Sequence, residues 1–138
     1  MPAILTVGEK SPYLRGIKFR NRTMADDKSY DLTFLNKISG GDDNFILEMI
    51  TTFKSVAPEY LRKANEYYNS GLIDALSKET HRFIPGVSFL GAKSLEEDLL
   101  LVEDFTKRNV NLERLPELLE KIQNKINLLL EDFNHDFH

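Results

Sequence analysis

From Leu32 to Phe133 the apolar residues recur every three or four positions, and this period constrains the fold more than any other feature of the chain. A strand buried on one face needs apolar residues at every second position, and no stretch of useful length alternates that way. A short first helix is expected from Leu32, Leu35 and Ile38, opened by Asp31 as N-cap and closed by "SGG". In residues 44 to 68, Phe45, Ile46, Met49, Phe53, Val56, Tyr60, Ala64 and Tyr67 form a second stripe, with Asp42 or Asp43 as cap and Pro58 as a kink. A third segment runs from Leu72 to Leu90. Ser94 and Glu97 read as a capping box for a fourth helix, from Leu95 to Lys107, which turns Leu99, Val102 and Phe105 inward. Asn109 and Asn111 mark the next turn. The last helix spans residues 112 to 133 and buries Leu115, Leu119, Ile122, Ile126, Leu129 and Phe133, with Pro116 tolerated in its first turn. Short turns between long amphipathic helices make neighbours antiparallel. The expected fold is all-α, an up-and-down antiparallel four-helix bundle preceded by a short N-terminal helix.

With 138 residues, 41% of them hydrophobic, the chain has the size of one domain. It contains no cysteine, which excludes a disulfide framework and thiolate metal sites. No apolar run is long enough to span a membrane and the N-terminus lacks a signal-peptide pattern, so a cytoplasmic protein is expected. The net charge of -4 is unevenly spread: residues 1 to 23 carry five cations, Lys10, Arg15, Lys18, Arg20 and Arg22, against Glu9, leaving -8 for the remainder. An acidic body does not suit nucleic acid. The basic leader, interrupted by Pro2, Gly8, Pro12 and Gly16, is suited to an acidic surface but has no helical periodicity. We expect residues 1 to 27 to be a disordered leader and 28 to 138 the folded unit, acting as a monomer.

Within "ETHRFIPGVSFLGA", at residues 79 to 92, the helical register separates two faces. Leu72, Leu76, Thr80, Phe83, Val87 and Leu90 fall on the stripe that must face the core. His81 lies nearly opposite and shares its side with Asp74, Ser77, Lys78, Pro85, Ser88 and Ala92, so its ring should project into solvent. Pro85 removes the amide donor that would bond the His81 carbonyl, and Gly86 removes a side chain beside the ring. Local rules broken together concentrate at functional sites. Ile84, Pro85 and Phe89 add an apolar apron around the exposed imidazole.

These residues resemble the histidine-containing phosphotransfer (Hpt) domains of two-component phosphorelays. The family pattern is a histidine, a lysine three residues on, a glycine or proline followed by a small residue, and a Leu-Gly pair nine and ten residues after the histidine. Here the matching positions are His81, Ile84, Pro85, Gly86, Leu90 and Gly91. The resemblance extends through "YDLTFLNKISGGDDNF", "APEYL" and "NSGLIDAL" and covers nearly all of residues 30 to 133. It implies that His81 is the phosphoacceptor, through Nε2, and that the partners are response-regulator receiver domains and hybrid sensor histidine kinases. The expected partner-binding residues are Ser77, Lys78, Arg82, Ile84, Pro85, Gly86, Ser88 and Phe89. Ile84 stands where the family has lysine, with Lys78 and Arg82 the nearest substitutes in sequence.

The chemistry agrees with the resemblance. An imidazole at its reference pKa of about 6.5 is mainly neutral at pH 7 and offers a nitrogen lone pair as nucleophile. Phosphoryl transfer also needs cations around the moving oxygens. The sequence offers no magnesium cluster near His81, and the resemblance assigns the ion and the acceptor aspartate to the partner. No cofactor is expected, and the expected role is a phosphocarrier without enzymatic activity of its own. Two alternatives remain. One is a receiver-binding scaffold that is never phosphorylated, favoured by Ile84. The other is a metal site at His135, Asp136 and His138, which lacks a helical ligand spacing. "LEEDLLLVED", residues 95 to 104, reads as a solvated acidic face.

Overall fold

A computed structural model of the chain describes residues 29 to 137, and every regular element among them is helical. The expected leader and His138 lie outside the described residues. The elements are α1 (Thr33–Ile38), α2 (Asp43–Asn69), α3 (Ile73–Phe89), α4 (Lys93–Arg108), a single 3-10 turn (Leu112–Arg114) and α5 (Leu115–Asp136). Helix α2 packs on α3, α3 on α4, α4 on α5, and α5 back on α2. None of these helices is long and apolar enough to cross a membrane.

Each long helix buries the stripe that its period demands. On α3 these are Leu76, Thr80, Phe83 and Val87, on α4 Leu95, Leu99, Val102 and Phe105, and on α5 Leu115, Leu119, Ile122, Ile126, Leu129 and Phe133. Aromatic rings bind the layers together. Tyr60 stacks on Phe83 at 4.4 Å, Phe53 lies 5.9 Å from Phe83, and Phe133 meets Phe53 edge-on at 6.0 Å. Thr80 is the one polar residue on the α3 stripe, and its hydroxyl is satisfied by Tyr60 Oη at 2.9 Å. An unpaired hydroxyl there would carry a full desolvation cost.

On α2 the expected stripe holds at Ile46, Phe53, Tyr60 and Ala64 and departs at Phe45 and Val56. Ile46, Ile50, Phe53, Ala57, Tyr60 and Ala64 are buried, whereas Phe45 and Val56 are exposed. With Asp42 accepting from the amides of Asn44 and Phe45, the helix starts at Asp43 and continues through Pro58 without a break. Leu72 and Ile38 are also exposed, because each stands at a helix end outside the packed layer.

The expected capping box at Ser94 and Glu97 does not form, since α4 begins two residues earlier, with Ala92 as its N-cap residue and no side-chain cap. The reason lies in the preceding turn. Gly91 N–H bonds to Ser88 O at 3.0 Å and Ala92 N–H to Val87 O at 3.3 Å, a Schellman closure that leaves only a minimal link between α3 and α4. Gly91 has φ +67°, and a Cβ there would stand 2.0 Å from Asp31 O. The chain entering at Asp31 runs over that glycine and donates its amide to Leu90 O at 3.1 Å.

This entry strap is also tied to the end of α5. Ser29 Oγ donates to Asp132 and Tyr30 Oη to Asp136 Oδ2 at 2.6 Å, while the Tyr30 ring packs 4.8 Å from Phe133. The strap therefore joins the C-terminal ends of α3 and α5 and sets α1 beside the last turn of α3, where Phe34 stacks on Phe89 at 5.9 Å and 7°.

The stretch at residues 95 to 104 departs from its expectation as a wholly solvated acidic face. Asp98 is buried and meets Lys125 Nζ of α5 at 2.7 Å. The Glu103 side chain is only 13% exposed.

Candidate functional site

His81 sits in the middle of α3 with its side chain 69% exposed, on the outer face that the register assigns to it. Its Nδ1 is hydrogen-bonded to Oε2 of Glu103, which projects from α4. Lys107, one turn further along α4, places Nζ 3.2 Å from the same oxygen. Burial alone would raise the Glu103 carboxyl, but the hydrogen bonds from His81 and Lys107, with their positive charges, outweigh it and hold the carboxyl below its ordinary value. Glu103 is therefore ionised at neutral pH and can only accept. The proton of the bond therefore resides on Nδ1, and Nε2 is the ring nitrogen left outside it.

The residues expected to surround the ring divide into two groups. Lys78, Arg82, Pro85, Ser88 and Phe89 are exposed and share the outer side of α3. Gly86 is partly covered, yet a Cβ there would meet nothing within 4 Å, so the space beside the ring is open. Ser77 and Ile84 differ from expectation. Ser77 is only 5% exposed, against the solvent-facing position expected for it. Its position one turn before His81 is covered because α3 packs closely on both α2 and α4. Ile84 is half-buried, packed against the core rather than standing free in the apron.

Neither candidate substitute for the family lysine is directed at the ring. Lys78 Nζ lies 3.7 Å from Asp74, and Arg82 donates to Glu79 at 2.8 Å. Lys107 is the cation tied to the histidine's own partner. Sequence reasoning missed both Glu103 and Lys107, which come from a helix that begins twelve residues after His81. The available signal was a glutamate and a lysine four apart, as on many solvated helix faces.

At the C-terminal end, His135 Nδ1 lies 3.0 Å from Asp136 Oδ1, and Asp136 is already held by Tyr30. Among the described residues no group of three or more His, Asp or Glu side chains is placed to hold a metal ion. Comparison of the chain with protein-family models, with curated proteins and with solved structures finds no match.

Proposed function

We propose that the protein is a phosphorelay intermediate that accepts a phosphoryl group on His81 from the aspartyl phosphate of a receiver domain, alone or in a hybrid kinase, and passes it to another receiver. The observation that carries this reading is the exposed His81 ring, whose Nδ1 is engaged by Glu103 so that Nε2 is the free nucleophile. In the forward step the Nε2 lone pair attacks phosphorus. An N–P bond forms, the acyl-phosphate P–O bond breaks, and the aspartate carboxylate leaves. The Nδ1 proton stays on the ring and is shared with Glu103, which stabilises the positive charge developing there. Magnesium and the aspartate belong to the partner. The helices would then form an up-and-down antiparallel four-helix bundle with α1 as a short leading element, acting as a cytoplasmic monomer. This is the arrangement expected from the short turns between long amphipathic helices.

The docking face on this reading comprises Lys78, Arg82, Pro85, Gly86, Ser88 and Phe89, enlarged by Phe34 stacked on Phe89. A second reading, a receiver-binding scaffold that is never phosphorylated, draws on Ile84, whose half-buried aliphatic side chain brings no charge to the site. Incubation with a phosphorylated receiver separates the two. Acid-labile, base-stable label on His81 is expected for the carrier, and binding without label would leave the scaffold.

A further inference from the structure

A phosphoryl group on His81 would change the local charge in a way that the resting contacts leave unbalanced. At rest the ionised Glu103 accepts from Nδ1 of a neutral ring and from Lys107 Nζ at 3.2 Å, so carboxylate and ammonium cancel. A phosphoryl group on Nε2 brings close to two negative charges, and the ring that bears it, protonated at Nδ1, brings one positive charge. Glu103 then neutralises the ring. The phosphoryl oxygens are left with surplus negative charge, and Lys107 with a partner already taken.

The other cations around the ring are engaged elsewhere. Position 84 brings none, since Ile84 is aliphatic and half-buried. Lys78 lies on Asp74, Arg82 donates to Glu79, Lys63 reaches the same Glu79 at 4.0 Å, and Arg108 is held by both carboxylate oxygens of Asp104. Among the described residues only Lys107 shares a carboxylate with His81. A cation in the last turn of a helix also suits the helix dipole, which accounts for Lys107 and Arg108 alike but not for their different partners. Burial separates the members of the pair. The Glu103 side chain is 13% exposed and held by packing, whereas Lys107 is 61% exposed. An exposed lysine in an i, i+4 pair is weakly held, and its four-carbon stem is flexible enough to exchange partners.

We propose that Lys107 is a catalytic residue of this site: its ammonium leaves Glu103 Oε2 and moves onto the phosphoryl oxygens as the N–P bond to His81 forms, supplying from α4 the charge that position 84 does not supply from α3. The inference rests on the phosphotransfer reading. Glu103 and Lys107 thereby divide the work, the carboxylate serving the ring and the ammonium serving the group that the ring carries.

Phosphoramidate, a small phosphoryl donor, tests this without a receiver. Nε2 attacks phosphorus, the N–P bond to His81 forms, the P–N bond of the donor breaks, and its protonated nitrogen leaves as ammonia. Loading followed by phosphorus NMR should slow about tenfold in Lys107→Met, which keeps the stem and removes the charge, and stay within about threefold of the wild type in Lys107→Arg. A loss at least as large is expected when Lys107→Met is added to Glu103→Gln, because the ammonium acts on the phosphoryl oxygens and not through the carboxylate. A loss that vanishes in the Glu103→Gln background would overturn the proposal and make Lys107 a positioning residue for Glu103. Loading of His81 at an unchanged rate in Lys107→Met would overturn it too, while leaving the phosphotransfer reading in place. Wild-type protein that takes no label from phosphoramidate would overturn that reading and this proposal together.

Discussion

Glu103 holds Nδ1 of His81 across the interface between α3 and α4, from 22 residues away in sequence. The bond joins an exposed ring to a carboxylate that is mostly covered, so it orients the imidazole without enclosing it. A ring held at Nδ1 is restrained in rotamer and tautomer, and on the proposed phosphotransfer reading the nucleophilic nitrogen is then set before a partner arrives. This preorganisation is what a helix surface otherwise lacks, because a solvated side chain samples several rotamers.

Replacing His81 tests the assignment of the nucleophile. His81→Gln removes no core contact and leaves an amide that can still donate to Glu103, so stability should fall by no more than about 1 kcal/mol. Label from a phosphorylated receiver should disappear. Label that persists would transfer the role to His135 or His138 and end the mechanism proposed for His81.

Glu103→Gln keeps the shape and an acceptor oxygen but loses the charge, and the amide can also donate to Nδ1 and favour the wrong tautomer. Losing a charge-assisted hydrogen bond of about 1.5 to 3 kcal/mol corresponds to a fall of about tenfold or more in the rate of label appearance. Stability should respond to acid as well. The Glu103 carboxyl is depressed in the folded state, so its contribution is complete above its ordinary value of 4.5 and is lost as pH falls through the lower folded value. Thermal melts between about pH 5 and pH 3 should therefore fall less steeply in Glu103→Gln than in the wild type. Parallel slopes would mean that the carboxylate is not stabilised by folding.

The helices and the outward direction of His81 were legible in the sequence because both depend on a period of 3.6 within one segment. Leu76, Thr80, Phe83 and Val87 determine where His81 points, whatever the rest of the chain does. Glu103 was not legible, because its meeting with His81 depends on the rotation and height at which α4 lies against α3. Ser77 shows the same limit. It lies on the polar side of the helical wheel, and only the closeness of the neighbouring helices buries it. The α2 stripe was misjudged at Phe45 and Val56, since an apolar-rich helix offers two adjacent stripes and tertiary packing chooses between them.

Gly91 was noted as half of a Leu-Gly pair, and the structure supplies its physical reason. Gly91→Ala would hold a side chain at φ +67° and drive its Cβ to 2.0 Å from the Asp31 carbonyl oxygen. The neighbour is backbone, tied to Leu90, and cannot simply rotate away. A loss of about 2 to 4 kcal/mol is expected from chemical denaturation, from the left-handed backbone and the clash together. A loss below about 1 kcal/mol would show that the entry strap lifts off α3 freely. Gly86→Ala serves as the control, because that Cβ meets open space and the helix should become slightly more stable.

Ile84 allows docking and chemistry to be separated. Its side chain packs against the core, so Ile84→Asp would combine a folding defect with any loss of affinity and is the poorer test. Ile84→Lys can keep most of the aliphatic packing along its stem while bringing the ammonium to the surface one turn from His81. A cation there is expected to stabilise the charge on the moving phosphoryl oxygens and to speed the transfer step at saturating receiver by about fivefold, close to 1 kcal/mol. Affinity for the receiver should fall, since the apolar area that Ile84 adds at the edge of the apron is exchanged for a hydrated charge. Rapid-quench kinetics over a range of receiver concentrations resolve the two effects, which have opposite signs. If neither the saturating rate nor the affinity moves, position 84 lies outside the interface, and the docking face must be sought on the other side of His81, towards Lys107 and α4.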